Sequence, residues 1–320
     1  ILNLRDLKNY QVKFRQPIVG HFQEYKIVSM PPPSSGGIHI VQMLNMLKNE
    51  DFKKLRPHST KTLHLITEVM RRAFADRAEL LGDPDYTNVP QKGLLSDKYA
   101  LKLRASIDMK SATVSKSMSK SNAGFFESNS TTHISIVDRD GNAFSSTQTI
   151  NYSFGSGVIA KGTGIILNDE MDDFSIKPGV PNAYGLVGSE ANAVAAYKTM
   201  LSSMSPTIVF DSNNLVKMVV GSPGGPRIIS ATFQTILNTL AFKMPFDLAV
   251  HSKRIHHQWL PDLLRVEPGL LKKETRKQLR AKGHQIKEIR AIGDVQAIFR
   301  TEKGWMAVSD TRSEGKPQAY

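Results

Sequence analysis

The first part of the chain alternates between backbone-breaking residues and segments whose apolar side chains recur at helical spacing. Residues 1–47 contain a short polar helical segment, an alternating segment at 25–30 and the run PPPSSGG at 31–37. Apolar residues then follow a helical period over 38–47 and again over 60–81. Because proline fixes the backbone and glycine frees it, the run at 31–37 predicts a rigid turn that leads into the first of these two helices.

The middle of the chain carries a hairpin pattern. Segments 131–137 and 143–151 are rich in Thr, Ser and Ile, and the dipeptide Asp-Gly lies between them at 140–141. Asp-Gly between two such segments is a strong signal for a β-hairpin.

The turn position sets which residues face each other across this hairpin. A turn centred on the Asp-Gly dipeptide places Thr131 opposite Ile150 and Thr132 opposite Thr149. A longer loop or a bulge would shift the pairing by one or two positions. We therefore predict only that Thr131 lies near Thr149 and Asn151.

The remaining elements follow from the same periodicities. The sequence predicts strands over 206–210, 215–220, 296–300 and 305–308, and helices over 227–240 and 272–282. A glycine-rich turn at 221–226 separates a strand from a helix. No internal repeat is present.

Composition narrows the class of protein. The chain has 320 residues, of which 40% are hydrophobic and 22% charged, which is typical of one large or two smaller globular domains and excludes collagen-like and wholly disordered chains. No apolar stretch approaches the roughly 20 residues that span a bilayer. The net charge of +13 favours anionic partners without naming one. The absence of cysteine excludes a thiol nucleophile, a cysteine-ligated zinc site and disulfides.

Two segments bear on processing. The chain begins at Ile1 with a polar stretch that is not a signal peptide, so we interpret it as beginning inside a longer protein. Residues 111–130 are rich in Ser and Lys, which predicts a linker or exposed loop of the kind where backbone cleavage concentrates.

Thr131 opens a strand directly after that loop. A threonine that becomes N-terminal can use its own α-amine, with a pKa of roughly 8, as the base for its hydroxyl. The alternative is an ordinary strand with surface threonines.

Five further groups of residues have either a functional or a purely structural interpretation. The turn at 221–225 fits an oxyanion site or a plain turn. The acidic run at 168–174 fits amine recognition, a hard metal ion or a solvated loop, and the serines at 202–205 fit carboxylate binding or a turn. We interpret the histidine pair at 256–257 as structural and the basic run at 272–290 as a solvated face rather than a nucleic-acid site.

Taken together, these segments resemble gamma-glutamyltranspeptidases, which are N-terminal-nucleophile hydrolases. The resemblance extends in family order over nearly the whole chain and is carried by SMPPPSSGGIHIVQMLN at 29–45, ESNSTTHISIVD at 127–138, LNDEMDDFSIKPGVPNAYGLVG at 167–188, LSSMSPTIV at 201–209, GSPGGPRII at 221–229 and HHQWLPD at 256–262.

The resemblance implies an α/β fold, a four-layer αββα sandwich, and a precursor that cuts itself between Ser130 and Thr131. Residues 1–130 would be the end of a large subunit and 131–320 the small subunit, together forming one structural domain and a heterodimer. It implies γ-glutamyl transfer and hydrolysis, with glutathione as the expected donor, water, amino acids or peptides as acceptors, no cofactor or metal, and a periplasmic or secreted location.

The resemblance also implies a role for each residue of the site. Carried over by motif position, these are Thr131 as nucleophile, Thr149 to orient it, Asn151, Glu170 and Asp173 for the α-amino and α-carboxyl ends of the donor, Ser202 and Ser203 for its α-carboxylate, Gly224 and Gly225 for the oxyanion, and Tyr184 as the aromatic residue of a lid loop. A relative that acts on poly-γ-glutamate or a glutaryl amide, an inactive remnant, and a basic surface-binding or nucleic-acid-binding protein are the alternatives.

The sequence departs from the family pattern at several positions. Ser130 stands where Gln is common, Met200 and Lys253 where Pro is frequent, Pro226 where Ser is usual, and Ile255 where Phe is frequent. Pro226 removes one N–H beside the oxyanion turn. The upstream part of the family's large subunit, including an arginine that grips the glutamyl carboxylate, is not in this sequence.

Overall fold

A computed structural model describes residues 3–118 and 131–320 of the chain. The helices are α1 Leu4–Asn9, α2 Gly36–Leu47, α3 Thr60–Leu80, α4 Gln91–Leu94, α5 Asp97–Ala105, α6 Arg227–Leu240, α7 Phe246–His251 and α8 Lys273–Ala281. The strands are β1 Ile18–Phe22, β2 Tyr25–Ser29, β3 Thr131–Val137, β4 Ala143–Thr149, β5 Thr207–Phe210, β6 Val216–Gly221, β7 Ile255–His256, β8 Leu264–Val266, β9 Ile286–Glu288, β10 Gln296–Thr301 and β11 Gly304–Ser309.

A six-stranded antiparallel sheet, ordered β1-β2-β5-β6-β10-β11, forms the centre of the fold. Helices α2 and α6 contact this sheet and each other, and α3 packs beside α2. The β3–β4 hairpin forms a second sheet that contacts β5, β6 and β10. Helices and two stacked sheets thus confirm the predicted α/β sandwich, with the second sheet reduced to two strands in the residues described.

The helices of the core match the predicted periodicity. Every residue of α2 is buried, because this helix lies between the sheet and other helices, and all of α6 is buried as well. In α8 only Leu279 is buried, so the basic run predicts a surface helix correctly. No helix in the described ranges is long and apolar enough to cross a membrane.

The observed register of the hairpin differs by one position from the register that a two-residue Asp-Gly turn would give. The loop spans 138–142 rather than the Asp-Gly dipeptide alone, and Thr131 pairs with Thr149 instead of Ile150. The Asp138 carboxylate accepts hydrogen bonds from the backbone N–H groups of Asp140 and Asn142, both at 2.9 Å, and so stabilises the longer loop. The predicted proximity of Thr131 and Thr149 is confirmed.

The Ser/Lys-rich segment is not exposed throughout. Ser115 is fully buried, its N–H donates to the Asp262 carboxylate at 2.7 Å, and its carbonyl accepts from the Trp259 indole at 3.2 Å. The start of the predicted linker is therefore anchored to the 256–262 segment. Residues 119–130 of the predicted linker, including Ser130, lie outside the described residues.

The histidine pair at 256–257 has a structural role, as predicted. His256 and His257 are both fully buried. His256 hydrogen-bonds Ser230 at 2.7 Å and Gln258 at 2.9 Å, while His257 contacts Asp262 at 3.2 Å. Burial lowers the pKa of both imidazoles, so these side chains are neutral packing groups.

A glycine allows the hairpin to approach the central sheet. A Cβ placed on Gly221, at the end of β6, would collide with the His133 ring of β3. Ser135, two residues further along β3, donates to the Gln296 carbonyl of β10 at 3.1 Å. The position of the strand that begins at Thr131 therefore depends on a residue without a side chain at 221.

Replacing Gly221 with Ala is expected to push β3 away from the sheet and to lower the free energy of unfolding by about 1–3 kcal/mol, the usual cost of overpacking. The measurement is urea unfolding of the purified variant. Gly93→Ala is the control, because a Cβ there meets no atom within 4 Å. Equal stability of the two variants would contradict the close approach.

Candidate active site

Two threonine hydroxyls meet at the open end of the hairpin. The Thr131 hydroxyl donates to Thr149 Oγ1 at 3.0 Å, and the Asn151 backbone N–H donates to the same oxygen at 2.8 Å. The Thr149 hydroxyl in turn interacts with the Glu170 carboxyl. The antiparallel register positions the first pair, and this chain of contacts fixes the direction in which Thr131 Oγ1 points.

Asn151 directly follows the hairpin in a left-handed conformation. Its φ is +71°, it is buried, and its side-chain amide donates to the Asp169 carbonyl at 3.3 Å. Asparagine tolerates this conformation better than most residues. The turn at Asn151 carries the chain from β4 toward the acidic segment.

Two carboxyl groups from the acidic run lie together beside the threonines. Glu170 and Asp173 belong to a short 3₁₀ helix and interact with each other. Burial, together with the neighbouring Glu170, raises the pKa of Asp173 to about 8, while Arg77 opposes that shift. Burial also raises the pKa of Glu170. Both shifts favour the protonated form of one acid of the pair, because two adjacent carboxylates repel each other.

The serine pair is held from behind by the PPPSSGG segment and by α3. The Ser202 carbonyl accepts from both the backbone N–H and the hydroxyl of Ser35, each at 2.9 Å. The Ser203 hydroxyl oxygen accepts from Arg77 Nη2 at 3.1 Å. The segment that the sequence marks as a rigid turn thus also fixes the serines.

The glycine-rich turn has the conformation that only glycine adopts readily. Gly224 has φ +132° and Gly225 has φ +56°. Among residues 3–118 and 131–320, no acceptor takes the backbone N–H of either glycine. The turn leads into α6, so the helix dipole adds to its preference for negative charge.

These elements surround one small cavity. Of the predicted site residues, eight line it: Thr131, Thr149, Asn151, Asp173, Tyr184, Ser202, Ser203 and Gly225. Glu170 contacts this group from behind through Thr149, and Gly224 is adjacent to Gly225 in the chain. The arrangement offers a hydroxyl nucleophile, an acid pair, a hydroxyl pair and unpaired backbone N–H groups in one place.

A model of the family described as Gamma-glutamyltranspeptidase matches residues 1–320. A glutathione hydrolase proenzyme of Escherichia coli is 46% identical over 314 residues, which cover 98% of this chain and 54% of the relative. The chain belongs to the gamma-glutamyltranspeptidase family. It spans about half the length of this curated relative.

Two solved structures resemble this member of the family. A mutant gamma-glutamyltranspeptidase of Helicobacter pylori is 50% identical with a TM-score of 0.55, and all of that chain matches 57% of this one. A cephalosporin acylase from Bacillus halodurans matches 100% of this chain and 55% of its own, with a TM-score of 0.82 at 24% identity. The second likeness shows a shared fold alone.

Tyr184, the predicted lid aromatic of this member of the family, packs over the cavity. Tyr184 is buried, its ring stacks on Tyr152 at 4.9 Å, and its hydroxyl donates to the Asn151 carbonyl at 3.3 Å. Its carbonyl accepts from Gln258 Nε2 at 3.0 Å. The ring lies against Gly225, which links the 178–188 segment to the glycine turn.

Arg77, which the sequence predictions did not single out, contacts the serine pair from behind the cavity. It lies in α3 and contacts Ser203 and Ser35 through its guanidinium. The helical pattern places it among buried positions, and an arginine in an apolar helix face was the available signal.

One cluster in the described residues has the side chains of a metal site, but nearby positive charges make it unsuitable for a metal ion. His64, Glu68 and His284 offer ligand atoms within 4.8 Å of one another. Glu68 already accepts hydrogen bonds from Arg71 at 3.1 Å and Arg72 at 2.7 Å. Two guanidinium groups at the only carboxylate of the cluster oppose a further cation, so we assign it no metal.

Gly225→Ala is expected to disturb the site as well as the backbone. Its Cβ would lie 2.8 Å from the Tyr184 ring, in addition to the strain of φ +56°. Gly157→Ala is the matched control, since Gly157 has φ +69° but nothing within 4 Å of a Cβ. We expect the Gly225 variant to lose about 1–3 kcal/mol more of unfolding free energy than the control, measured by urea unfolding. Equal losses would show that Tyr184 does not pack there.

Proposed function

We propose that the complete protein hydrolyses and transfers γ-glutamyl groups, with glutathione and related γ-glutamyl amides as donors, through an acyl-enzyme on Thr131. The observation that carries this proposal is the shared cavity. The Thr131 hydroxyl, hydrogen-bonded to Thr149, faces the same space as the glycine turn, the serine pair and Asp173. Family membership supports the same chemistry.

The first step of the proposal is self-cleavage between Ser130 and Thr131. The Thr131 hydroxyl attacks the Ser130 carbonyl carbon, the peptide C–N bond breaks, and the Thr131 nitrogen takes the proton as an amine. Water then hydrolyses the resulting ester, which leaves a free carboxyl on Ser130 and a free hydroxyl and α-amine on Thr131. Residues 1–130 and 131–320 would remain associated as parts of two subunits.

In the second reaction, the free α-amine of Thr131 accepts the hydroxyl proton as the oxygen attacks the γ-carbonyl of the donor. The N–H groups of Gly224 and Gly225 stabilise the oxyanion. The C–N bond breaks, the departing amine takes the proton, and the γ-glutamyl ester forms. Water regenerates Thr131 with glutamate as product, whereas an amino acid or peptide amine yields a new γ-glutamyl amide.

The ends of the donor fit the charges around the cavity. An α-ammonium group would pair with ionised Asp173 beside Glu170, and an α-carboxylate would accept hydrogen bonds from Ser202 and Ser203. A glutaryl donor lacks the ammonium group and would leave the acid pair unused. The acid pair therefore favours γ-glutamyl donors over glutaryl amides.

The proposal also includes the location of the protein, which we propose to be exported to the periplasm or the medium.

Thr131→Ala is expected to abolish both self-cleavage and turnover, because the variant has no hydroxyl at the attacking position. Thr132→Ala is the matched control, since Thr132 is exposed and pairs with Gln148 away from the cavity. Mass spectrometry of the whole protein reports cleavage, and release of aniline from a γ-glutamyl anilide reports turnover. Two fragments meeting at residue 131 in the Thr131→Ala variant would refute the proposal.

A matched pair of donors separates the two enzyme hypotheses. A γ-glutamyl anilide and a glutaryl anilide differ only in the α-amino group. We expect the first to be turned over with a kcat/KM at least about tenfold higher, the usual minimum for a charged hydrogen bond. A preference for the glutaryl anilide would instead favour the acylase alternative.

Donor binding is expected to release a proton near pH 7. The pKa of Asp173 is raised to about 8, so the free site is protonated below that pH, whereas an α-ammonium group requires the ionised form. Binding therefore weakens as pH falls below about 8. Calorimetry of L-glutamate binding in two buffers of different ionisation enthalpy measures the release. The Asp173→Asn variant should bind L-glutamate more weakly and release no proton. Binding heats of the wild type that do not depend on the buffer would contradict the assignment of the released proton to Asp173.

A further inference from the structure

We propose that Arg77 is a positioning residue for the α-carboxylate end of the donor, acting through the Ser203 hydroxyl. This inference rests on the proposed function and adds to it a residue from α3 that lies behind the cavity. Arg77 does not line the cavity that contains Thr131, so its action is indirect.

The contacts of Arg77 define that action. Nε donates to Ser35 Oγ at 3.0 Å, and Nη2 donates to Ser203 Oγ at 3.1 Å and to the Leu201 carbonyl at 3.5 Å. Ser35 in turn holds the Ser202 carbonyl. The planar guanidinium therefore fixes both the backbone and a side chain of the serine pair.

The direction of these hydrogen bonds matters for the carboxylate. Because the Ser203 oxygen accepts from Arg77, its own hydrogen remains to be donated elsewhere. Ser203 lines the cavity, and a carboxylate there would be the acceptor. The positive charge on Arg77 also polarises the Ser203 O–H and strengthens that donation.

Arg77 differs from other buried arginines of the same helix. Arg71 and Arg72 each pair with Glu68, at 3.1 and 2.7 Å. Arg77 is 5% exposed, yet within the described ranges no carboxylate oxygen lies within 4.0 Å of its guanidinium. A buried cation without a bonded anion is costly, and such a charge fits a site whose anion arrives with the substrate.

Arg77 also interacts with Asp173, the residue assigned to the α-ammonium group of the donor. The two side chains line a second small cavity together and interact electrostatically. The α-ammonium and α-carboxylate of a glutamyl group are attached to a single carbon, so their subsites must be adjacent. Arg77 touches one subsite through Ser203 and influences the other through Asp173.

The test compares two donors that differ only in the α-carboxylate, a γ-glutamyl anilide and a 4-aminobutyryl anilide. In Arg77→Gln we expect KM for the γ-glutamyl anilide to rise about tenfold or more, with kcat changed less than about threefold, since the change is remote from the reacting carbonyl. Turnover of the 4-aminobutyryl anilide should fall less, because this donor has no α-carboxylate and depends on Arg77 only through Asp173. The preference of the wild type for the carboxylated donor would therefore shrink.

Two further variants separate positioning from folding. Arg72→Gln removes a buried arginine of the same helix that contacts Glu68 and Ser106, so it should lower stability and leave the donor preference unchanged. Arg77→Lys retains the positive charge but loses the planar guanidinium that donates to Ser35 and Ser203 together. We therefore expect a smaller rise in KM than in Arg77→Gln. On a Ser203→Ala background, Arg77→Gln should add little, because the pair acts as a unit.

The outcomes are distinct. Equal losses for both donors in Arg77→Gln, or fully additive losses with Ser203→Ala, would overturn the role of Arg77 while the proposed function stands. A processed wild-type protein with no activity on the γ-glutamyl anilide would instead overturn the proposed function. Loss of donor preference in the Arg77 and Ser203 variants, but not in Arg72→Gln, would support the inference.

Discussion

The candidate site depends on one hydrogen bond, from the Thr131 hydroxyl to Thr149 Oγ1 at 3.0 Å. Backbone pairing of β3 with β4 sets this contact, and the loop at 138–142 sets the pairing. The hairpin in turn reaches the glycine turn only because Gly221 leaves room for the His133 ring. A strand register and a missing side chain thus place the Thr131 hydroxyl in the same cavity as the glycine turn.

Buried charge provides the second constraint. The interior of this α/β sandwich contains acids and arginines from distant parts of the chain, among them Glu170 and Arg77. Such groups are costly to bury, and elsewhere in the molecule they pair directly, as Arg254 does with Asp310 at 2.7 Å. Around the cavity the pairing among the described residues is incomplete, which is consistent with the proposal that a zwitterionic donor supplies the missing partners.

Much of the fold could be predicted from local patterns. The helix predicted over 227–240 forms over those residues, and the strands at 206–210 and 215–220 form within one or two residues of the prediction. The hairpin was right in kind and off by one in register, because the Asp138 side chain stabilises a longer loop. Ser115 contradicts the predicted exposure of its segment, since its partners Trp259 and Asp262 are far away in the sequence.

The sequence by itself determined the elements, the family and the residue types available for chemistry, because periodicity, turn residues and motifs are local properties of the chain. Only the tertiary structure decided which of those residues share a cavity, that Tyr184 packs against Gly225, and that Arg77 holds Ser203. Those contacts join segments that are far apart in the chain, and the pKa of Asp173 follows from the same burial. Such effects arise from packing and desolvation, which no local pattern encodes.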